Sequence, residues 1–338
     1  MATLKQIAEE CGVSLSTVSK ALNGAEDVSR STMLRIRKAA EEMGYMPNAA
    51  ARALKTSRSY CFGLLLADSV SADMPHEFFV RIIVSFKNRA SELGYDITVL
   101  NNHLGRRDID YAEHARYRNC DGILVVAGSE SDNIIIPKLV DTGIPVVCID
   151  YGIAGCGSVC SDNMQGMQEL VSYVISCGHR RIAYISGHDT HVTRTRIEAF
   201  RATCANYGID VPEEYLIPAL FHSPELSGDA TRALLSLPVP PSCILYPDDL
   251  SYIGGLNELE RMGLSIPADV SAAAYDGLDI CQAFHPRLTT IRQNAETMGR
   301  CAAEELVRAI ESDEEYEFRR ILIPGVLLSG ETVSTIET

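Results

Sequence analysis

The chain has 338 residues and a formal net charge of −15 at pH 7, with 46% hydrophobic and 22% charged residues. That length exceeds one compact core and points to two or three domains; the composition is that of a folded globular protein, and no apolar run approaches the ~18 residues that span a bilayer. The N-terminus enters an amphipathic pattern directly, without the regions of a signal peptide, so a soluble, cytoplasmic protein with no membrane partner is expected.

Charge is distributed unevenly. Residues 1–58 hold nine Lys or Arg against six Asp or Glu, whereas the remainder holds 21 basic and 39 acidic residues. A basic head on an acidic body suits a chain that docks on phosphates through the head alone.

Thr3-Leu4-Lys5-Gln6 has the form of a capping box. Leu4, Ile7, Ala8 and Cys11 then recur at helical spacing until Gly12. Ser14 caps a second helix with Val13 and Val18 as a hydrophobic staple, and Asn23-Gly24 ends it. Ser29 caps a third, whose buried stripe is Met33, Ile36, Ala40 and Met43. Three short, tightly linked helices predict a helix-turn-helix. In the second helix Val18, Ala21 and Leu22 share one face, leaving Leu15, Ser16, Ser19 and Lys20 to meet DNA: hydroxyls and ammonium for phosphates or base edges, Leu15 for a thymine methyl. A solvated bundle without a ligand is the competing reading.

Pro47-Asn48 ends one element and caps another. Residues 49–55, Ala-Ala-Ala-Arg-Ala-Leu-Lys, favour helix but are too short to hold one alone. Small Ala49, Ala50 and Ala51 allow close approach to a groove, Arg52 and Lys55 suit phosphates, and Leu54 has the character of a wedge between base steps. The segment is expected to become helical on DNA; a flexible linker is the alternative.

Three stretches together closely resemble the lac repressor (LacI/GalR) family: Thr3 to Ala8, Val13 to Asn23, and Gly44 to Leu54. The resemblance implies a homodimer on a double-stranded, pseudo-palindromic operator, with recognition helices in two half-sites and paired hinge helices in the central minor groove, Leu54 inserted there. Thr3, Leu15, Ser16, Thr17, Ser19, Lys20, Asn23, Ser29, Asn48, Ala51, Arg52, Leu54 and Lys55 then form the DNA set. Lys20 stands where arginine is more usual, so it lacks the planar fork for guanine.

From Tyr60 onward, strand-like runs alternate with helical stretches: residues 61–67, 96–100, 122–127, 146–150 and 181–186, then 243–246, 270–275, 288–293 and 321–328. The predicted architecture is α/β: a head (1–47), a hinge helix and linker (48–58), and a two-lobed, periplasmic-binding-protein-like body of two doubly wound parallel sheets (59–338). Lobe one is expected at 59–161 plus 291–321, lobe two at 162–290 plus 322–338. Ligands of such sheets lie beyond the strand C-termini, here between the lobes.

The resemblance runs through the body and implies a small-molecule effector, a sugar or related metabolite. Arg196 matches an effector-binding arginine whose fork suits hydroxyls or a carboxylate. Phe78 and Phe79 match an aromatic pair that packs on effectors, with core packing the alternative. Ser129, Tyr151, Asp162, Arg194, Asp248, Asp276 and Gln293 complete the candidate set, a structural role remaining open for Tyr151, Asp162 and Gln293. Asp248, Asp249 and Asp276 either make the cleft acidic or are neutralised internally by Arg194 and Arg196.

No cofactor is expected. The chain lacks GxSxG, P-loop, HExxH and GxGxxG patterns, and His76-Glu77 has no partner histidine at helical spacing, so an enzyme is disfavoured. His179 and His285 read as structural. The eleven cysteines read as reduced thiols; Cys156 and Cys160, the only close pair, lack a second pair at zinc spacing and are assigned to a loop. A solute-binding protein would share the body but not the head. Without a heptad extension before Thr338, a dimer is expected rather than a tetramer.

Overall fold

A computed structural model describes residues 2–22, 25, 27–45, 58–66, 76–126, 132–312 and 316–336. The chain divides into two compact units, Met1–Ser59 and Tyr60–Thr338. The expected hinge helix, including Asn48, Ala51, Arg52, Leu54 and Lys55, lies outside the described residues, as do Asn23 and Ser129.

The first unit contains α1 (Leu4–Cys11), α2 (Leu15–Leu22) and α3 (Arg30–Glu42). Thr3 and Gln6 make the reciprocal capping box, and Gly12 stops α1 at φ +60, a left-handed conformation that glycine adopts without strain. Ser14 Oγ accepts from the Thr17 backbone N–H at 3.1 Å, opening α2, and Ser29 does the same for Thr32 at α3. Ile7, Ala8, Cys11, Val18, Ala21, Ile36 and Ala40 form one shared core, with Met33 and Met43 at its edge. Helices this short are held by that core rather than by propensity.

In the second unit the chain builds β1 (Cys61–Leu66), α4 (Glu77–Glu92), β2 (Asp96–Val99), a small antiparallel hairpin of β3 (His103–Leu104) and β4 (Arg107–Asp108), α5 (Tyr111–Tyr117), β5 (Gly122–Val126), α6 (Asp132–Val140), β6 (Val146–Ile149) and β7 (Gly157–Ser161). It then enters the other lobe through α7 (Asn163–Ser176), β8 (Ile182–Ser186), α8 (His191–Asn206), β9 (Leu216–Pro218), α9 (Pro224–Leu235), β10 (Cys243–Leu245), α10 (Asp249–Arg261), β11 (Ser271–Asp276), the short α11 (Asp279–Gln282) and β12 (Thr289–Arg292). α12 (Ala295–Glu311) and β13 (Arg320–Ile323) return to lobe one, and β14 (Val326–Leu328) ends in lobe two.

Among the described residues each lobe is built on a six-stranded sheet, ordered β13-β7-β6-β5-β1-β2 in lobe one and β14-β12-β11-β10-β8-β9 in lobe two. Both are parallel except for β14, which runs antiparallel to β12. Helices cover both faces, and central strands such as Gly122–Val126 are apolar with every residue buried. In lobe one Phe62, Leu64, Ile82, Phe86, Ala302 and Leu306 fill the layer under α4 and α12, and Leu65, Ile123, Ala115 and Leu139 the opposite layer. Lobe two repeats the plan with Leu170, Tyr184 and Phe200 on one side and Ile185, Leu234, Ile244 and Leu259 on the other.

Three details depart from expectation. The run 321–328 is two strands in two different sheets, because Pro324-Gly325 breaks it at the crossing. The lobe boundaries therefore fall after Arg292 and after Ile323, slightly beyond the expected positions. Cys160 belongs to strand β7, next to the edge strand β13, rather than to a loop, and Cys156 is buried just before it; Gly-Ser-Val-Cys-Ser is too small and mixed to read as a strand. All eleven cysteines are free, and no described helix is long and apolar enough to cross a membrane.

Candidate functional site

On the head, Val18 and Ala21 turn α2 into the core while Leu15 remains 51% exposed. Ser16 is exposed beside it, and its hydroxyl lies 2.7 Å from Ser14 Oγ. Thr17 is half-buried with Oγ1 2.8 Å from the same atom. Ser19 is half-buried. The Lys20 ammonium is paired with Asp27, whose carboxyl it holds below the usual carboxylate range. Thr3 and Ser29 sit at the N-termini of α1 and α3, their side chains engaged as caps.

The second site gathers at the C-terminal ends of the parallel strands, where such sheets bind ligands. Arg196, on α8, is 3% exposed. Its Nε donates to Asn163 Oδ1 at 2.7 Å and its Nη1 to the Pro247 carbonyl at 2.9 Å. The guanidinium carbon lies over the Tyr275 ring, 3.6 Å from its centroid, and 5.9 Å from that of Phe221. Gly166 on α7 makes room for Tyr275: a Cβ there would overlap the tyrosine hydroxyl.

Asp276 ends β11 at φ +108, a strained conformation for a non-glycine residue. Its Oδ1 accepts from Gln293 Nε2 at 2.5 Å, and Gln293 Oε1 accepts in turn from the Ser161 hydroxyl. Burial raises the Asp276 pKa, and Arg196, His222 and the Gln293 hydrogen bond oppose that. Asp276 Oδ2 faces His76 Nε2 at 3.5 Å. Burial, and then the adjacent His222, depress the His76 pKa to about 4, so near neutral pH this is a neutral imidazole beside a carboxyl rather than an ion pair. The His76 and His222 rings stack, centroids 4.0 Å apart.

Asp150, after β6 at φ +53, accepts from the Ser161 backbone N–H at 2.8 Å. Desolvation raises its pKa to about 6. It borders a pocket of about 100 Å³ together with Ser161, Asp162, Asn163, His191 and Arg320.

The acidic-cleft question resolves residue by residue. Asp248 is fully buried and caps α10, its oxygens taking the Ser251 backbone N–H and hydroxyl and the His222 backbone N–H. Asp249 is fully buried as well, accepting from Leu278 N and Thr290 Oγ1. Arg194 turns outward to pair with Asp189 rather than reaching the cleft carboxylates. Arg196, Asp276 and Asp150 remain in the wall, with Asp162 and Arg320 beside Asp150 at the small pocket.

Phe78 packs into the lobe-one core, while Phe79 presents its ring edge-on to His76. Tyr151 lies against the other lobe-one core layer. Asp162 caps α7. Sequence reasoning did not single out Asn163, His76, His222, Phe221 or Asp150 as cleft residues. Asp150 directly follows β6, His76 and Asn163 stand at helix starts, and Phe221 and His222 lie in the loop between β9 and α9, so no shared local signal marks them. His179 bonds Ser242 Oγ and the Ser334 carbonyl, a structural role.

Residues 3–48 match the family model described as bacterial regulatory proteins, lacI family, and residues 171–333 match a periplasmic binding protein-like domain. The chain is 30% identical to the probable HTH-type transcriptional repressor ExuR of Bacillus subtilis strain 168, covering 100% of both chains. It is 28% identical to the HTH-type transcriptional repressor PurR of Vibrio vulnificus strain CMCP6, covering 99% of this chain and 100% of that one. Among solved structures it resembles a transcriptional regulator CelR–cellobiose complex (TM-score 0.70, 25% identity, 98% of this chain and 100% of the other). The lac repressor dimer bound to operator and an anti-inducer shares the fold (TM-score 0.78, 22% identity, 98% and 99%).

Proposed function

The chain belongs to the lacI family of bacterial regulatory proteins, and on that premise we propose that it represses transcription as a homodimer on a pseudo-palindromic operator, under the control of a sugar or related small metabolite held between the lobes of its body. It is a regulator rather than an enzyme, as its named relatives are. One observation carries the ligand reading: Arg196 is buried, immobilised by Asn163 and the Pro247 carbonyl, and laid over Tyr275, with Asp276 nearby. A fixed cation, an aromatic face and a carboxyl at one seam are the groups that bind hydroxyls with defined orientation. The similarity to a cellobiose-bound regulator supports a sugar.

Control follows from linkage. A ligand that binds one lobe arrangement better than another shifts the population toward it, and operator affinity changes by the corresponding factor. A sensor that shares the body but lacks operator recognition is the alternative; the lacI-family match over residues 3–48 and the exposed Leu15-Ser16 edge of α2 favour the repressor.

The test is selection of bound duplexes from a random DNA pool with the full chain, followed by titration of the selected duplex with and without a panel of mono- and disaccharides and sugar acids. A two-fold symmetric consensus whose affinity shifts about tenfold or more with one compound is expected. Failure to enrich any sequence overturns the operator reading.

A further inference from the structure

We propose that His76, His222 and Asp276 form a site for a divalent transition-metal ion that ties the two lobes together. One ligand atom from each lies within 4.8 Å of the other two. The His76 Nε2 to Asp276 Oδ2 separation of 3.5 Å matches the edge of a tetrahedron whose metal–ligand bonds are about 2.1 Å, roughly 3.4 Å.

The stronger observation is the state of His76. Its side chain is 6% exposed, yet among the described residues neither Nδ1 nor Nε2 has a hydrogen-bond partner. A buried imidazole with both nitrogens unsatisfied is costly, and a bound metal ion would engage one of them. The ring lies beside the exposed His222 imidazole, in the closest ring contact that either histidine makes. His222 is anchored through its backbone N–H, which donates to Asp248 Oδ2 at 2.9 Å, so its exposed ring can turn without disturbing the fold. Asp276 offers Oδ2 while Gln293 holds Oδ1, the outer-shell support that ligating carboxylates commonly have.

Two imidazoles and one carboxylate suit Zn²⁺, Co²⁺ or Ni²⁺ rather than Ca²⁺ or Mg²⁺, which take oxygen ligands. Three protein ligands leave a coordination position for an oxygen of the cleft ligand. His76 precedes the first residue of α4 in lobe one, whereas His222 and Asp276 follow β9 and end β11 in lobe two. An ion held by all three therefore favours the arrangement that brings the lobes together, by mass action. This assignment rests on the reading of the seam as a ligand site, but the ion is its own probe and is read without DNA or sugar.

The full chain, reduced and stripped with a chelator, is titrated with Co²⁺ by absorption spectroscopy and with Zn²⁺ by equilibrium dialysis. One ion per chain is expected, with ligand-field bands and no sulfur-to-cobalt charge transfer. His222→Gln, exposed and therefore safe for folding, and His76→Gln should each weaken binding about tenfold or more, and the exposed-site control His103→Gln should not. Absence of uptake at sub-millimolar Zn²⁺, equal uptake by His222→Gln, or charge-transfer bands that place the ion on cysteines would each overturn the site. Failure of the duplex selection described above bears on the repressor reading alone.

Discussion

The guanidinium of Arg196 lies 3.6 Å from the centre of the Tyr275 ring, between two hydrogen bonds that leave it a single orientation. Arg196→Ala removes the cation and strands the Asn163 and Pro247 oxygens in a buried site. The variant should lose about 2–4 kcal/mol of stability in denaturant unfolding. Arg196→Lys keeps the charge but cannot span both acceptors. It should fold closer to wild type and still bind the effector found by the saccharide panel about tenfold or more weakly by calorimetry. Unchanged affinity in Arg196→Lys would remove the arginine fork from ligand recognition.

Gly166 tests the same arrangement from behind. Alanine is the better helix former by about 1 kcal/mol, so Gly166→Ala in an exposed helix would stabilise. Here the added methyl overlaps the hydroxyl of the buried Tyr275. Overpacking costs about 1–3 kcal/mol, so a net fall in thermal midpoint is expected, together with weaker effector binding as Tyr275 is pushed against Arg196. A rise in midpoint would show that the α7 packing is looser than described.

Lys20 is expected to contact DNA, yet it is paired with Asp27 on the same unit. The pair must open, or Lys20 must reach past it, before the ammonium neutralises a phosphate. Asp27→Asn should therefore raise duplex affinity about threefold to tenfold and steepen the log affinity–log salt slope by about one unit, as one more cation is freed for counterion release. The thermal midpoint of the head should be unaffected, both partners being exposed. Fluorescence anisotropy across a salt series reads both quantities, and an unchanged slope would place Lys20 off the DNA.

The head was legible almost residue by residue because its signals are local: a Thr3–Gln6 capping box, a stop at Gly12 and caps at Ser14 and Ser29 all act within one turn. The sheets were legible where strands are long and apolar, as in Gly122–Val126. β7 escaped because buried parallel strands in small residues show neither alternation nor strong apolarity, and one run of residues proved to be two strands because only tertiary context splits it. Of the expected cleft residues, Arg196, Asp276 and Gln293 are buried, and the Asp248 carboxylate is engaged in helix capping. His76 and His222 were invisible as a pair because their juxtaposition is made by two lobes far apart in sequence. A helical-spacing search for a partner of His76 looks in the wrong dimension.

Asp150 supplies a prediction in pH. Its carboxyl is raised from an ordinary 3.8 to about 6, mainly by desolvation, with Asp276 adding to the rise and Arg196 and Arg320 opposing it. Below the unfolded value the group is protonated in both states and costs nothing. As pH rises toward about 6 the folded chain retains a proton that the unfolded chain has released, so stability falls through this window and the full cost remains above it. At about 1.4 kcal/mol per pH unit that cost is at most about 3 kcal/mol. Asp150→Asn keeps an oxygen for the Ser161 N–H and suits the left-handed φ of this position. It should therefore be more stable than wild type by about 1–3 kcal/mol at pH 7.5, with the gap closing toward pH 4. Urea unfolding at both pH values decides it: a gap that persists at the acid end would mean that the gain comes from packing and not from removal of a desolvated charge.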